Sequence, residues 1–352
     1  MNSKLLIAGI QLVLGLSLAA NAQAQQAPAL APQASSYLVH NNGLFAFGQQ
    51  TISSLHQRLG ETGAGHRPGE GNGEFFTRGF GGQSEYYSDL SASQLGYDYE
   101  QDVYGLQLGG NWLKLQGETG SLRLGAALSA GKSYIEPGLG SGGRRLPLAA
   151  GHETVDASSV VATVTWQQDS GWYVDGLVGA SQYRGDVRAA TGGRAVRLDS
   201  NDVFASVETG YQWVLGEGLI VEPQAQVSWQ KLDTDRVADN SGVVVDLGTP
   251  ELFVWRVGAR ALFSPSVGSN GSSLTQYVKF NYIDSEGPDQ RAFLSGERVA
   301  TGAYGNTAEF GYGLTATMRN RVSLYGDFSL QQEIGDASRE GWAASAGAKW
   351  VF

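Results

Sequence analysis

The chain has 352 residues, including 50 glycines, 15 tyrosines and 8 tryptophans, and 16% of its residues are charged. This composition is typical of strands joined by tight turns rather than of helical layers. The chain has no cysteine, which excludes disulfide bonds, thiol catalysis and cysteine-bound metals. Its 34 acidic and 24 basic residues give a net charge of −10, which argues against a nucleic-acid partner.

The first 24 residues have the pattern of a secretory signal peptide. Lys4 precedes an apolar stretch from Leu5 to Ala20, and Ala22-Gln23-Ala24 is a small-x-small cleavage site. Cleavage after Ala24 would leave a net charge of −11. The alternative is a retained membrane anchor. No later segment has the ~18 apolar residues of a membrane-spanning helix, whereas membrane-spanning strands need only about ten alternating residues.

Residues 25–73 are predicted to be a short linker that contains one helix. The first part of the linker is rich in proline and alanine and is too short for a domain. A helix is then predicted at about residues 43–59, with Gly60 as its ending residue. The prediction rests on an apolar stripe at helical spacing: Leu44, Phe47, Ile52, Leu55 and Leu59.

Twelve segments from Glu74 onward alternate apolar and polar residues. They lie at residues 74–83, 102–114, 120–132, 154–167, 172–184, 202–215, 219–231, 251–264, 274–283, 306–318, 321–332 and 341–352. Their connections alternate between short turns and long loops, with a longer turn at 264–273 and a shorter loop at 333–340. Residues 74–352 are therefore predicted to form an all-β, twelve-stranded antiparallel transmembrane β-barrel in the outer membrane.

A soluble β-sandwich would also alternate, so alternation alone does not exclude it. The polar face of the segments carries glycines beside charges, at Gly210, Gly258, Gly311 and Gly313, as expected where a lumen or a close backbone replaces a packed core. All eight tryptophans also fall near predicted strand ends, as two aromatic girdles would require. Both features favour the barrel.

Nine charged residues on the polar face are predicted to point into the lumen. They are Asp175, Glu208, Glu222, Arg256, Arg260, Lys279, Glu309, Asp327 and Lys349. A helix is about 10–12 Å across, and a twelve-stranded lumen should hold about one. Gln57 and Arg58 are then its candidate contacts with the wall. Two alternatives stay open: a helix in the periplasm outside the barrel, and an open porin in which the same charges line water.

The order of several motifs resembles the translocator domain of autotransporters (type V secretion). The motifs are "SLHQRLGE", "FFTRGFGG", "YVDGLVGASQY", "VEPQAQVSW", "RVGARA" and a final aromatic residue. The resemblance implies a monomeric barrel of Gram-negative bacteria with a helix in its pore, which exports an N-terminal passenger. The family's Trp-x-Arg in the first strand is here Phe76-Thr77-Arg78, a conservative departure.

The resemblance also implies partners. Its barrels are carried by periplasmic chaperones, inserted by the outer-membrane barrel assembly machinery, and surrounded by outer-membrane lipid and lipopolysaccharide. The terminal aromatic signal for insertion corresponds to Trp350 and Phe352. No cofactor and no metal is implied.

The main departure from the autotransporter family is the segment before the helix, where a passenger would lie. Fewer than twenty residues separate Ala24 from Gly43. We therefore expect a helix-plugged translocator barrel with little or no passenger and no catalytic activity. The alternatives are a small outer-membrane pore and, with less support, an outer-membrane hydrolase. Asn41 and Asn42 are candidates for autocleavage by asparagine cyclisation, although "GLFAFGQQ" departs from the pattern of the cleaving group, and Asn-Gly is also an ordinary turn or helix-entry pair.

Overall fold

In the computed structural model, the described residues are 33–61, 73–90, 97–140, 145–147, 151–190, 192–216, 218–263, 272–287, 291–302, 305–318, 321–335 and 337–352. The predicted signal peptide and residues 62–72, which link the helix to the first strand, lie outside them. Neither described helix combines the length and the apolar character needed to cross a membrane.

Twelve antiparallel strands form a closed barrel, which confirms the predicted fold. Each strand pairs with the next, and the last pairs with the first, with Phe76 opposite Lys349. Closure leaves no open sheet edge in the barrel wall. The strands are β1 (Glu74–Tyr87), β2 (Tyr97–Gln116), β3 (Gly120–Gly140), β4 (His152–Gln168), β5 (Trp172–Arg188), β6 (Arg194–Tyr211), β7 (Leu219–Thr234), β8 (Glu251–Phe263), β9 (Ser273–Glu286), β10 (Thr307–Met318), β11 (Val322–Glu333) and β12 (Ser338–Val351).

The two ends of the barrel differ in their connections. We call the end where β2 turns into β3 and β4 into β5 the short-turn end, and the opposite end the long-loop end. Two connections at the long-loop end, β7–β8 and β9–β10, together build a small four-stranded sheet, here named the loop sheet. Its strands are Val237–Ala238, Val244–Asp246, Arg291–Leu294 and Glu297–Ala300. Two further short strands, Arg145–Pro147 and Trp213–Gly216, pair with β3 and β7.

The strands β2 and β3 are longer than predicted, with 20 and 21 residues. A membrane-spanning strand needs only about 9–11 residues. Most of the additional residues lie at the long-loop end, where β2 begins and β3 ends, and two lie at the short-turn end of β2. Alternation is required only where lipid faces one side of the strand, so the pattern located the spanning part and missed the extension.

Side chains alternate between an exposed apolar face and a buried polar face. On β5, Trp172, Val174 and Val178 point outward and are 47%, 38% and 58% exposed, while Tyr173 and Asp175 point inward and are buried. A soluble sandwich would bury the apolar face instead. The outward apolar surface is what a lipid environment accommodates.

The tryptophans form two groups along the barrel wall. Five lie near the short-turn end (Trp112, Trp166, Trp172, Trp213 and Trp350), and three lie toward the long-loop end (Trp229, Trp255 and Trp342). On β12, Trp342 and Trp350 are eight residues apart, or ~27 Å along the strand. At the 35–45° tilt of such strands this is ~20 Å along the membrane normal, somewhat less than the ~25 Å apolar band of outer-membrane barrels.

Inward glycines make room for aromatic rings from the neighbouring strand. The ring of Tyr173 lies against Gly210, and that of Tyr277 against Gly313, so closely that a Cβ at either glycine would overlap the ring. At these two positions a side chain of the neighbouring strand therefore approaches the glycine backbone closely, as expected for glycines on the polar face.

The helical segment starts earlier than predicted and is broken. α1 (Ala34–Ile52) begins nine residues before Gly43, and α2 (Leu55–Leu59) follows after Ser53, whose φ is 51°. Ser54 and Gln57 form a reciprocal capping box that starts α2. All of α1 except Gln49 and Gln50 is buried, so its N-terminal half shows no apolar stripe from which the sequence could locate it.

Candidate functional site

The helical segment lies inside the barrel and runs from the long-loop end to the short-turn end. α1 packs against β2, β3, β4, β5 and β7, and α2 packs against β1 and β12. Tyr37, near the start of α1, bonds to Asp239 beside the loop sheet, whereas Arg58 bonds to Asp175 near the short-turn end. The lumen placement predicted as one alternative is therefore the observed one.

A first group of contacts, here named the long-loop clamp, holds the start of α1. Its helix-side members are Gln33, Tyr37, His40, Asn41 and Asn42. The Tyr37 hydroxyl donates to Asp239 Oδ2 over 2.8 Å, and Gln33 Nε2 donates to the same oxygen over 3.0 Å. Asp239 follows the loop-sheet strand Val237–Ala238, so this contact joins the loops to the helix.

His40 lies at the centre of a buried hydrogen-bond chain. Its Nδ1 is 2.6 Å from Glu153 Oε1, its Nε2 is 3.0 Å from Ser200 Oγ, and Ser200 Oγ is 2.8 Å from Thr234 Oγ1. The His40 and Glu153 side chains are both 0% exposed. The order acid, histidine, serine matches that of a hydrolase triad, but full burial leaves no route for an external substrate.

The two candidate autocleavage residues are both buried in the middle of α1. The Asn41 amide donates to the carbonyl oxygen of Leu247 and the Asn42 amide to that of Gly302, each over 3.1 Å. Both side chains thus tie α1 to the long loops. Autocleavage at either position stays a prediction.

The charge of Asp239 should control the stability of the long-loop clamp. Burial raises the pKa of this carboxyl, but hydrogen bonds from Ser241, Gln33, Tyr37 and the Val243 backbone outweigh it and lower the pKa to about 2, from a usual value of 3.8. A lowered folded-state pKa contributes stability above the unfolded value, and this stability is lost as the pH falls toward 2.

We therefore expect Asp239→Asn to be less stable than the wild type by about 1.5–3 kcal/mol at pH 7, as for a hydrogen bond to a charged group. The difference should shrink below about pH 4 and vanish near pH 2. Thermal midpoints of both proteins measured from pH 7 to pH 2 check this. A difference that does not change with pH would contradict it.

A second group, the short-turn clamp, holds the end of the helical segment. It consists of His56, Gln57, Arg58 and Glu61 with their partners Asp175, Glu222, Arg260 and Asp327. Arg58 Nη2 lies 2.7 and 2.9 Å from the two oxygens of Asp175. Gln57 Nε2 donates to Asp327 Oδ1 over 3.1 Å. Both helix-side contacts named from the sequence are thus present.

The rest of the short-turn clamp is a buried chain of ionisable side chains. His56 Nε2 is 3.0 Å from Glu222 Oε1, Arg260 Nη2 is 3.0 Å from the same oxygen, and Arg260 Nη1 is 2.6 Å from Glu61 Oε1. All four side chains are at most 3% exposed. Because buried charges are costly unless paired, the barrel and helix depend on each other here.

The structure places all nine predicted lumen residues in the barrel interior. Eight are buried, and the Arg256 side chain is 14% exposed. Asp175, Glu222, Arg260 and Asp327 contact the helical segment through side chains, and Lys349 contacts the Glu61 carbonyl oxygen over 3.5 Å. The other four pair within the wall: Arg256 with Glu208, and Lys279 with Glu309 and Asp327.

Sequence reasoning missed several residues of the two clamps, namely His40, Glu61, Glu153 and Asp239. Glu153 lies on the inward face of β4, so the alternation of inward and outward residues along this strand could have identified it. Asp239 and Glu61 lie outside any periodic element, and no pattern marked them. In the part of the chain that the structure describes, no three His, Asp or Glu side chains come together as a metal site.

Arg78, from the Phe76-Thr77-Arg78 motif of β1, also reaches the helix. Its Nη2 donates to the Gln50 carbonyl oxygen over 2.5 Å, and its guanidinium lies 4.7 Å from the centre of the Phe80 ring. The arginine of this motif therefore binds the C-terminal turn of α1, where carbonyl oxygens lack helical partners.

α1 does not fill the lumen. A cavity of about 400 Å³ lies between the helix and the wall from β7 to β12, and it also reaches the long-loop ends of β1 and β2. It is lined on the helix side by residues that include Asn42, Phe45 and Gln49, and on the wall by residues that include Arg256 and Gln331. The helical segment is therefore held against one side of the barrel.

Comparison with known proteins gives one family and several relatives. Residues 75–329 match the family model described as "Autotransporter beta-domain". The chain is 24% identical over 342 residues to the uncharacterized protein YuaQ of Escherichia coli (strain K12), and 26% identical over 313 residues to the pertactin autotransporter of Bordetella bronchiseptica. These matches cover 92% and 85% of this chain but only 24% and 31% of the two relatives.

A solved structure shows the same fold. The transport unit of the autotransporter AIDA-I from Escherichia coli matches with a TM-score of 0.69 at 18% identity, covering 92% of this chain and 99% of that one.

Proposed function

The chain belongs to the autotransporter beta-domain family, whose barrels lie in the Gram-negative outer membrane, and we propose that its own helix closes this translocator barrel at rest. In outer-membrane barrels the short turns face the periplasm and the long loops face the outside. α1 therefore starts at the extracellular end. That is the orientation an exported N-terminal polypeptide needs.

The observation that carries this proposal is the fixing of one helical segment at both ends of the lumen. His40 and Glu153 are fully buried at the extracellular end, and Arg58 and Asp175 are each 3% exposed at the periplasmic end. A segment that merely rested in a wide pore would leave such charges in water. An open porin is less well supported, because the nine lumen charges pair with the helix or with one another.

The proposal is tested by single-channel conductance in planar bilayers. The full-length protein should conduct weakly, and a variant lacking residues 33–61 should conduct several-fold more, because the lumen then holds only water. A variant in which Lys231→Met breaks the exposed Lys231–Glu251 pair on the wall serves as control and should conduct like the wild type. High conductance in both the full-length protein and the deletion variant would instead support the open-pore alternative.

We propose that the barrel acts without catalysis. The family is one of translocator barrels, and the hydrogen-bond chain of Glu153, His40 and Ser200 is explained by holding α1. Ser200 is 3% exposed, so the purified protein should not react with fluorophosphonate probes.

We propose the partners that the resemblance to autotransporters implies: periplasmic chaperones, the barrel assembly machinery, outer-membrane lipid and lipopolysaccharide. We also propose that the barrel is monomeric.

We further propose that residues 1–24 are removed on export. The support is the order of Lys4, the apolar stretch and the Ala22-Gln23-Ala24 site. The protein purified from outer membranes should then begin at Gln25, and its intact mass should be that of residues 25–352. An intact mass that includes residues 1–24 would identify them as a retained anchor.

A further inference from the structure

Within the described ranges, the cavity beside α1 is open at the long-loop end of the barrel and closed at the short-turn end. Its rim includes Gly287, Arg291, Arg298 and Ala300, which are exposed at the long-loop end. Its deepest lining residues include Gln57 and Arg256, which are only partly exposed. Its volume of about 400 Å³ lies in the range of small-molecule sites.

The floor of the cavity is a layer of paired side chains around α2. Gln57 and Lys279 both donate to Asp327 Oδ1, over 3.1 and 2.8 Å. Below them, Arg260 and Glu222 are 2% and 0% exposed. Among the described residues, this layer leaves little room for solvent between the cavity and the short-turn end.

Four aromatic side chains surround α2 at the same level. Phe76, Tyr173, Tyr277 and Tyr325 come from four different strands and are between 1% and 6% exposed. The Tyr325 hydroxyl donates to the Arg58 carbonyl oxygen over 2.6 Å, and the Tyr173 ring lies 5.5 Å from the His56 ring, edge to face. The five-residue α2 and this aromatic collar therefore close the lumen, whereas the longer α1 leaves it partly open.

The charge of the cavity favours anions. Its lining has four arginines, Arg256, Arg291, Arg298 and Arg339, but only two acidic residues, Asp89 and Glu309. At the floor, Arg256 pairs with Glu208 over 2.8 Å, and Lys279 is shared between Glu309 and Asp327. The excess of positive charge therefore lies toward the long-loop end, where Arg291, Arg298 and Arg339 line the cavity with Asp89. Positive potential in a narrow cleft raises the local concentration of anions.

From these observations we propose that the cavity is an outward-facing vestibule that admits small anionic solutes from the extracellular side, while α2 and its aromatic collar keep them from the periplasm. The proposal rests on the proposed function for its orientation in the membrane. It adds a solute-accessible site and a specific seal to a barrel that is otherwise described as plugged.

Cysteine accessibility tests the vestibule directly, because the natural chain has no cysteine. Ala343 lines the cavity from the inward face of β12, and Ser345 is the next inward position on that strand, opposite Asp327 of the floor. Ala343→Cys and Ser345→Cys are therefore a matched pair on either side of the proposed boundary. Gln331→Cys gives a second probe in the vestibule.

Intact cells carrying each variant are treated with a membrane-impermeant anionic methanethiosulfonate and with its cationic analogue. We expect the anionic reagent to label Ala343→Cys and Gln331→Cys at least tenfold faster than Ser345→Cys, and faster than the cationic reagent does. Equal labelling rates at Ala343→Cys and Ser345→Cys would contradict a seal between these two positions. No labelling of Ala343→Cys or Gln331→Cys would show that the vestibule does not open to the outside. Faster labelling by the cationic reagent would contradict the preference for anions.

Failure of this proposal and failure of the proposed function give different results. Heat-modifiable migration on gels establishes that each variant is a folded barrel. If the helix is not in the lumen, deletion of residues 33–61 leaves conductance unchanged. If only the vestibule is wrong, that deletion still raises conductance while the labelling pattern departs from the expected one.

Discussion

Replacing Arg260 with methionine is expected to lower the stability of the folded protein by about 3–5 kcal/mol, the cost of removing one partner from a buried ion cluster. The Arg260 guanidinium serves two carboxylates, Glu61 and Glu222, which are 3% and 0% exposed. Without it both carboxylates would stay buried beside the His56 imidazole. Urea unfolding in detergent micelles or vesicles, followed by tryptophan fluorescence, measures the loss.

A matched surface variant separates this effect from the general loss of a positive charge. Lys231 pairs with Glu251 over 2.8 Å, but the two side chains are 42% and 36% exposed. Lys231→Met should therefore change stability by at most about 1 kcal/mol. Adding Glu61→Gln to Arg260→Met should restore part of the lost stability, because one of the two unpaired charges is then removed. Similar losses for Arg260→Met and Lys231→Met would show that the buried cluster is not the cause.

The wall of the barrel could be predicted from the sequence because its signal is local. Lipid on one side and the lumen on the other impose a two-residue period on each strand, as on β7, where Val227 and Trp229 alternate with Gln226 and Ser228. No long-range information is needed to see this. The same parity assigned charged residues such as Asp175 and Arg260 to the interior.

The helix could be predicted only in part because its environment is not one-sided. A helix on a protein surface has an apolar stripe, but α1 lies enclosed in the lumen and carries buried His40 and Asn41 next to buried Leu44 and Phe45. The stripe rule therefore found only its second half. The break at Ser53 has a local signal that went unused, since Ser54 and Gln57 have the spacing of a capping box.

The ion pairs in the lumen could not be predicted from the sequence. Alternation along a strand shows whether a side chain faces the lumen, but it does not show which side chain lies opposite. Arg260 and Glu61 are 199 residues apart in the chain, and His40 and Glu153 are 113 apart. Which of them meet depends on the height of each strand in the barrel and on the depth of the helix. Both quantities follow from the register of the closed sheet, which no single segment contains.

The pair of Arg58 and Asp175 offers the second large expected effect, measured as a double-mutant cycle. Each single alanine variant leaves a charged partner in a site that is 3% exposed, so each should cost about 3–5 kcal/mol. Asp175→Ala should cost more than Arg58→Ala. Asp175 keeps a hydrogen bond from Thr165, whereas Arg58 bonds to Asp175 through Nη2, and its Nε and Nη1 have no hydrogen-bond partner among the described residues.

The double variant should be more stable than Asp175→Ala alone, with a coupling energy of about 1–3 kcal/mol, because no unpaired charge then remains. Strictly additive losses would mean that the two side chains do not support each other.

Conductance measured on the same three variants separates two roles of this pair. If it seats α2, both single variants should conduct more than the wild type as the seal loosens. If it only stabilises the wall, stability should fall while conductance stays at the closed level. A rise in conductance with little loss of stability would identify the pair as the contact that holds the plug.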